Sequence, residues 1–169
     1  MKLLDKIAVV TGAGRGIGES IAHAFAEEGA SLVLAARTRE QLERVAAEIK
    51  TKKREAVAVV CDVSSPREVE RLAKTTREKF GRIDILVNNA GISRRSRFLD
   101  YEDETWLEVI RINLFGVYLC TKTFLPMMQH SGSGRVINMA SVAGKAPVPF
   151  NSANSASKHG LSIKGNLER

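Results

Sequence analysis

The sequence predicts a single α/β domain over residues 1–169, built on a doubly wound parallel sheet. Apolar runs of four to six residues alternate with helical patterns along the chain. These runs lack the alternation of apolar and polar residues seen in half-buried strands, so they are typical of strands buried on both faces. With 169 residues, 44% of them hydrophobic, the chain is long enough for one sizeable core. Right-handed crossovers between such strands predict a doubly wound parallel sheet.

The first half of the chain contains three predicted strands. The first covers Ile7–Val10 and runs into the glycine-rich segment 11–18, after which a helical pattern begins. A second strand is expected over Ser31–Ala36, and Thr38 then starts a helix with capping-box spacing. The third strand is expected over Ala56–Cys61.

The second half continues the same alternation. A helix starts with a serine cap and a proline at its first position, Ser65-Pro66. Later, a long helical region is interrupted at Gly116 and Pro126. Residues 162–169 contain glycine and asparagine and predict only a poor helix. The predicted bounds are 65–81 for the third helix, Ile83–Val87 for the fourth strand, Glu102–Gln129 for the long region and Val136–Met139 for the fifth strand.

The segment from Val9 to Gly18 is the most informative part of the chain. It passes from a strand through a glycine turn into a helix start, and this combination predicts a phosphate site. Backbone N–H groups at a helix N-terminus attract anions, and glycine allows the backbone to approach them closely. A tight turn without a ligand is the alternative, and the repeated strand–helix rhythm favours the phosphate site.

Composition restricts the possible partners. The formal charge is +7, but the basic residues are spread along helices and are not interleaved with aromatic residues, so we do not expect nucleic acid as a partner. No apolar run is long enough to span a membrane, and the N-terminus lacks the apolar core of a signal peptide. Cys61 and Cys120 lie in apolar surroundings and predict buried thiols of a reducing compartment, so we expect a cytoplasmic protein with no metal site.

Five motifs follow one another in a fixed order along the chain. They are Thr11-Gly12-x-x-x-Gly16-Ile17-Gly18, Asp62-Val63, Asn88-Asn89-Ala90-Gly91, Asn113 and Ser141. The glycine spacing of the first motif differs from the commoner Gly-x-Gly-x-x-Gly. Together the motifs resemble the short-chain dehydrogenase/reductase family, and the resemblance runs from residue 2 to about residue 161. This resemblance implies a Rossmann-type sheet with the strand order 3-2-1-4-5 and a nicotinamide dinucleotide cofactor.

The resemblance also implies a role for each matching residue. Asn113 helps to anchor a water that relays protons, Ser141 polarises the substrate carbonyl, and Lys158 holds the nicotinamide ribose. For Asn89 we favour a structural role within the floor of the site. The residues implied in cofactor binding are Gly12, Gly16, Ile17 and Gly18 at the phosphates, Asp62 and Val63 at the adenine, and Asn89, Ala90 and Gly91 beneath the ribose.

The choice between the two nicotinamide cofactors depends on the end of the second strand. Relatives that select NAD(H) carry an acidic residue there, which binds the hydroxyls of the adenosine ribose. This chain has Ala36 followed by Arg37, and Arg15 lies within the glycine turn. Two guanidinium groups suit a 2′-phosphate, so we predict NADP(H) over NAD(H). The alternative is that both arginines are solvated surface residues.

One residue departs from the family pattern in a way that affects chemistry. The family has a tyrosine one helical turn before the lysine, whereas this chain has Asn154 before Lys158. An asparagine amide cannot donate a proton in the range where a tyrosine can. Loss of a positioned general acid typically costs about 10²- to 10⁴-fold in rate. We therefore predict that the site binds cofactor and turns over slowly or not at all.

The predicted function is an NADP(H)-dependent oxidoreductase that interconverts a ketone and a secondary alcohol, impaired at position 154. The alternative is a non-catalytic dinucleotide-binding or oligomerisation module. Family members continue with further strands, so the resemblance implies a domain incomplete at its C-terminus, whose fifth strand is an exposed edge.

The substrate class and the subunit contacts stay open at this point. General similarity is closest to 3-oxoacyl-carrier reductases and to sugar or polyol dehydrogenases, so a small carbonyl or alcohol is expected. Arg94, Arg95 and Arg97 either attract a charged substrate or are solvated. A homo-oligomer is expected through the long helical region and the helix after Asn151. The apolar residues that fit either this interface or the core are Leu114, Phe115, Val117 and Leu119.

Overall fold

The computed structural model describes residues 1–130, 134–146 and 148–161 and contains a five-stranded parallel sheet. The strand order is β3-β2-β1-β4-β5, and every neighbouring pair is parallel. This confirms the predicted fold class. The strands are β1 Ile7–Thr11, β2 Ser31–Ala36, β3 Ala56–Val60, β4 Ile85–Asn88 and β5 Arg135–Asn138.

Helices cover both faces of this sheet. Successive side chains of a strand point to opposite faces, so Val9 of β1 packs into one core while Ala8 and Val10 pack into the other. The helices are α1 Gly16–Glu27, α2 Arg39–Thr51, α3 Pro66–Phe80, α4 Asp103–Ile110, α5 Gly116–His130 and α6 Ser152–Leu161. Helices α1 and α2 cover the face of Ala8, and α3 and α5 cover the face of Val9.

Strand β4 starts at Ile85, two residues later than the sequence predicts, and Asp84 before it bonds to β1 through both its backbone N and its side chain. The buried Asp84 Oδ2 accepts a hydrogen bond from the backbone N of Ile7 at 2.8 Å. Its carboxylate also forms ion pairs with Lys6 and Arg82, at 3.4 and 3.3 Å. These cations and the amide compensate for the burial of the charge at the N-terminal edge of the sheet.

The long helical region is interrupted just before Gly116, one of the two predicted places, whereas the helix is unbroken at the other, Pro126. It widens into a π-helical turn over Arg111–Phe115, and α5 then continues through Pro126. Gly116 begins α5, where a Cβ atom would lie 2.7 Å from Cγ2 of Val63. Glycine is required there by close packing against the loop after β3.

The predicted capping residues lie at the N-cap positions of α2 and α3, but their side chains form no capping hydrogen bonds. Glu68, which the capping-box pattern would direct to Ser65, instead accepts a hydrogen bond from the backbone N of Asp62 at 2.9 Å. Its carboxylate therefore links α3 to the loop after β3.

At the β5 side, the described sheet ends in an exposed edge, as expected. The side chains of Arg135, Ile137 and Asn138 are exposed, and Ile137 retains 40% of its accessible surface. In the part of the chain that the structure describes, no helix is long and apolar enough to cross a membrane. The predicted poor helix at 162–169 lies outside the described residues.

Candidate active site

The glycine turn after β1 is held in a conformation that requires glycine. Gly12 and Gly16 have φ angles of +66° and +60°, in the left-handed region. A Cβ on Gly12 would lie 2.9 Å from Cα of Ala90, and one on Gly18 would lie 2.2 Å from the backbone O of Gly12. Gly18 therefore lets α1 pack against the turn, whereas beside Gly16 the described residues outside its own helix leave the position of a Cβ open.

Thr11 and Asn89 join the turn to the loop after β4. Thr11 Oγ1 accepts hydrogen bonds from the backbone N atoms of Asn89 and Ala90, at 3.0 and 3.1 Å. Asn89 Nδ2 donates to the backbone O atoms of Thr11 and Gly12, at 3.0 and 3.3 Å. This arrangement agrees with the structural role favoured for Asn89. Sequence reasoning missed the role of Thr11, although its place at the head of the glycine motif was the available signal.

Asn88 has a structural role at the end of β4. Its Nδ2 donates to Asn138 Oδ1 on β5 at 2.8 Å and to Thr121 Oγ1 on α5 at 3.2 Å. Its own Oδ1 is buried and has no hydrogen-bond partner among the described residues. The side chain thus connects β4 to both β5 and α5.

A cleft of about 440 Å³ opens at the C-terminal ends of β1 to β4. Open parallel sheets bind ligands at this edge, where the strand order reverses. Most residues predicted to bind cofactor line this cleft. The lining residues are Gly12, Gly14, Arg15, Ile17, Ala36, Arg37, Thr38, Gln41, Cys61, Asp62, Val63, Asn89, Ala90, Gly91, Ile92 and Ile112.

The residues that line the cleft differ from the predicted cofactor-binding residues in both directions. Gly16 and Gly18 are not among the lining residues, and neither is Lys158. Sequence reasoning missed Thr38 and Gln41, which lie at the start of α2 beside the end of β2. Their capping-box spacing predicts only a helix start, and their nearness to the turn comes from packing between elements.

The residues that line the cleft carry more positive than negative charge. Arg15 and Arg37 are exposed and line the cleft, and Asp62 is the single acidic residue among its described lining residues. Asp62 Oδ1 already accepts hydrogen bonds from the backbone N and the Oγ of Ser64, at 2.9 and 2.7 Å. These bonds orient the carboxylate at the end of β3. The wall therefore suits an anionic ligand.

A second cluster of predicted residues is centred on Asn113, within the π-helical turn. The side chain of Asn113 is fully buried and pairs with the backbone of Ile92. Its Oδ1 accepts from Ile92 N at 2.8 Å, and its Nδ2 donates to Ile92 O at 2.9 Å. π-Helical turns frequently occur at functional sites, where they redirect a side chain. Here the turn directs Asn113 towards the loop after β4.

Asn154 is buried and contacts this cluster. Asn113 Nδ2 lies 3.2 Å from both Asn154 Oδ1 and Ser157 Oγ, so its two hydrogens are shared among three acceptors. Ser157 Oγ in turn donates to the backbone O of Asn154 at 2.8 Å. The substituted residue is therefore held inside the site by the residue implied in proton relay.

Ser141 and Lys158 lie near the end of β5. Lys158 Nζ donates to the backbone O of Met139 at 2.6 Å, and its partial burial lowers the pKa of the ammonium group below the usual value. Ser141 Oγ accepts from the backbone N of Ala143 at 3.2 Å. Among the described residues, no hydrogen bond joins Ser141 to Asn154. The structure thus places Asn154 with Asn113, and Lys158 at the edge of the sheet.

Comparison with known proteins identifies the family. The sequence model of a protein family described as short chain dehydrogenase matches residues 6–163 of this chain. The chain belongs to the short-chain dehydrogenase family. Membership implies a nicotinamide dinucleotide cofactor and an oxidoreductase ancestry.

Individual relatives agree with this assignment. The chain is 45% identical over 160 residues to a 3-oxoacyl-[acyl-carrier-protein] reductase of Synechocystis sp., a match covering 94% of this chain and 65% of that protein. It superposes on NAD⁺-bound xylitol dehydrogenase with a TM-score of 0.92 and 35% identity, covering 95% and 62% of the two chains. It superposes on levodione reductase with a TM-score of 0.91 and 36% identity, and the match covers 94% of this chain and 63% of that chain. The chain thus spans slightly less than two thirds of the length of these relatives.

Proposed function

We propose that this chain binds NADP(H) in the cleft in preference to NAD(H), and that its site is built to interconvert a ketone and a secondary alcohol. The observation that carries the cofactor preference is the composition of the cleft wall. Ala36, Arg37 and Arg15 line it together, where an acidic side chain would be needed to select NAD(H). Two exposed guanidinium groups suit the additional 2′-phosphate of NADP(H).

The glycine turn fits the diphosphate of such a cofactor. The open space beside Gly16 leaves room for the phosphates, and the N-terminus of α1 directs N–H groups there. The residues proposed for this part of the ligand are Gly12, Arg15, Gly16, Ile17 and Gly18. Gly18 would act by holding α1 against the turn.

The remaining residues are assigned by their position on the cleft wall. Asp62 and Val63 lie at the end of β3 and would contact the adenine. Asn89, Ala90 and Gly91 would form the floor beneath the ribose. Asn89 reaches that place while bonded to Thr11 and Gly12, so its contribution would be to shape the floor.

When bound, the cofactor supplies or accepts a hydride, which is its own chemistry. Ser141 would hold and polarise the substrate carbonyl, and Lys158 would bind the nicotinamide ribose. Asn113 would position groups for proton relay through its contact with Asn154. An asparagine amide cannot provide the proton that the product alcohol needs. Slow or absent turnover is the proposed result.

Binding measurements test the cofactor proposal. Isothermal titration calorimetry on the wild-type chain should give a lower Kd for NADPH than for NADH, and Arg37→Ser should reduce this difference. A matched control is Arg77→Ser, which removes one arginine near the C-terminal end of α3, away from the cleft. Equal or tighter binding of NADH by the wild-type chain would contradict the preference.

Turnover distinguishes an impaired enzyme from the alternative, a non-catalytic dinucleotide-binding module. The buried contact between Asn113 and Asn154 supports this second function, because an amide occupies the position where the family has its general acid. Stabilisation by NADPH in a thermal melt, together with slow reduction of generic ketones, supports the enzyme. Stabilisation without turnover supports the module.

A homo-oligomer is part of the proposal. Phe115 and Tyr118 are 43% and 52% exposed on adjoining turns, with ring centroids 5.7 Å apart. Val117 and Leu119 are buried instead and contribute to packing within the chain. Multi-angle light scattering of the purified protein, with Tyr118→Glu as the disrupting variant, tests this pairing. The two free cysteines of the described chain are buried, which fits the cytoplasmic location we propose.

A further inference from the structure

A charged cluster outside the family motifs lies behind the glycine turn. Arg44 of α2 donates through Nη1 to Glu19 Oε1 at 2.8 Å and to Glu48 Oε1 at 2.9 Å. Its Nη2 lies 3.4 Å from the backbone O of Gly14, within the turn itself. Arg44 therefore joins α1, α2 and the cofactor turn, although it does not line the cleft.

The position of Glu19 makes this contact consequential for anion binding. Glu19 lies in the first turn of α1, the helix whose N-terminus is proposed to meet the cofactor phosphates. An unpaired carboxylate there would repel the phosphates and reduce the positive potential that the N-terminus of α1 offers to an anion. The hydrogen bond from Arg44 lowers the pKa of the Glu19 carboxyl, so this group is ionised at neutral pH and depends on Arg44 for its counter-charge.

Helix α2, which carries Arg44, also supports the glycine turn sterically. A Cβ on Gly14 would lie 3.0 Å from Cβ of Gln41 and 3.1 Å from its Oε1. Gln41 and Arg44 are three residues apart on α2, so they face the turn from one side of the helix. Gly14 thus packs against the side chain of Gln41, and its carbonyl oxygen faces the guanidinium group of Arg44.

The cluster is a charge network, and its metal-binding alternative is weaker. Glu19, His23 and Glu48 each place one ligand atom within 4.8 Å of the others. However, Arg44 already donates to both carboxylates, and His23 Nε2 lies 3.1 Å from Glu48. A cation at this place would have to displace a guanidinium.

We propose that Arg44 is a positioning residue for the cofactor: it neutralises Glu19 and holds the Gly14 carbonyl, so that the turn presents a net positive surface to the phosphates. This inference rests on the proposed cofactor function. It extends the site to a residue that contacts the ligand only through the turn. Arg44 is half exposed, and this favours an effect on binding over an effect on core stability.

Two single variants with opposite expected effects test the proposal. Arg44→Met leaves the Glu19 charge uncompensated and should raise the Kd for NADPH roughly three- to fivefold. Glu19→Gln removes the repelling charge while Arg44 stays, and should lower the Kd roughly twofold. The double variant should recover most of the loss. A purely structural ion pair predicts no such opposition, because either substitution breaks the same pair.

The measurements are isothermal titration calorimetry with NADPH and a thermal melt of each variant. Lys74→Met is the matched control, since it removes one cation and an i,i+4 pair with Glu78 on α3, away from the cleft. It should leave the Kd unchanged. Affinity losses in both Arg44→Met and Glu19→Gln, or no change in either, would overturn the inference.

The failure of the inference can be told apart from that of the proposed function. A wild-type chain that binds neither coenzyme contradicts the proposed function, and the role of Arg44 falls with it. A wild-type chain that binds NADPH, with Arg44→Met binding it equally well, contradicts the inference alone. If Arg44→Met does not fold, the direction of the Glu19→Gln effect decides by itself.

Discussion

Replacement of Asn154 by tyrosine should restore proton transfer at the proposed site. Position 154 is one helical turn before Lys158 on α6, and residues four apart share a helix face. A tyrosine has a pKa of about 10, and a neighbouring ammonium group lowers it towards neutral pH. A positioned general acid typically contributes about 10²- to 10⁴-fold to the rate.

We expect the lower end of that range for Asn154→Tyr, about 10²-fold in kcat. Asn154 is buried and bonded to Asn113, so the larger ring must move outwards from the place the amide occupies. The change also removes one 3.2 Å hydrogen bond, which should cost about 1 kcal/mol of unfolding free energy. The variant should therefore be more active and slightly less stable.

The assay is NADPH oxidation with a generic ketone, followed by absorbance, after calorimetry has shown equal NADPH binding in each variant. Asn154→Phe is the control, because it introduces a ring of similar size without the hydroxyl. Urea denaturation measures the stability of both. If the tyrosine and phenylalanine variants turn over at the same rate, position 154 does not limit proton transfer and the reasoning is wrong.

Three further predictions concern the same framework. Gly18→Ala should destabilise the fold by about 1–3 kcal/mol in urea denaturation, because its Cβ would lie 2.2 Å from the Gly12 carbonyl oxygen; an unchanged midpoint would contradict the packing described. Asn113→Ala removes four hydrogen bonds and should lower the free energy of unfolding by about 2–4 kcal/mol in the same assay. A decrease below about 0.5 kcal/mol would contradict the structural role of Asn113. Burial raises the pKa of the Cys61 and Cys120 thiols to about 12, so both should resist a thiolate-specific reagent at pH 8 until denaturant is added. Rapid labelling of the folded protein would contradict the burial of these thiols. Because cysteine thiols ionise near pH 8.5 in the unfolded chain, the free energy of unfolding should fall as the pH rises above that value.

Local pattern was a good guide where one physical cause dominates. The strands were predicted to within two residues at each end because each is a short apolar run between turns, and burial on both faces demands such a run. Glycine at 12 and 16 indicated a tight turn, and in the structure both residues have the left-handed backbone that few other residues adopt. The start of β4 was placed two residues too early, because strand ends depend on pairing with strands that are distant in sequence.

The residues of the candidate site carry a signal in the sequence, but their arrangement does not. Motif residues such as Asp62 and Gly91 line the cleft, and their part in cofactor binding stays a prediction. Thr38 and Gln41 were recognised only as the start of a helix, because they reach the cleft through the packing of α2 on the sheet. The π-helical turn at Asn113 was missed as well, because helix widening depends on tertiary contacts and leaves no periodic signal.

The sequence by itself determined the parallel α/β architecture, the glycine turn and the absence of tyrosine at position 154. Each of these is either a residue identity or a local pattern enforced by backbone sterics and burial. Only the tertiary structure decided that Asn154 bonds to Asn113, and that Arg44 meets both Glu19 and the Gly14 carbonyl. Side-chain pairing between elements depends on how helices pack across a sheet, and that geometry is set by the whole core.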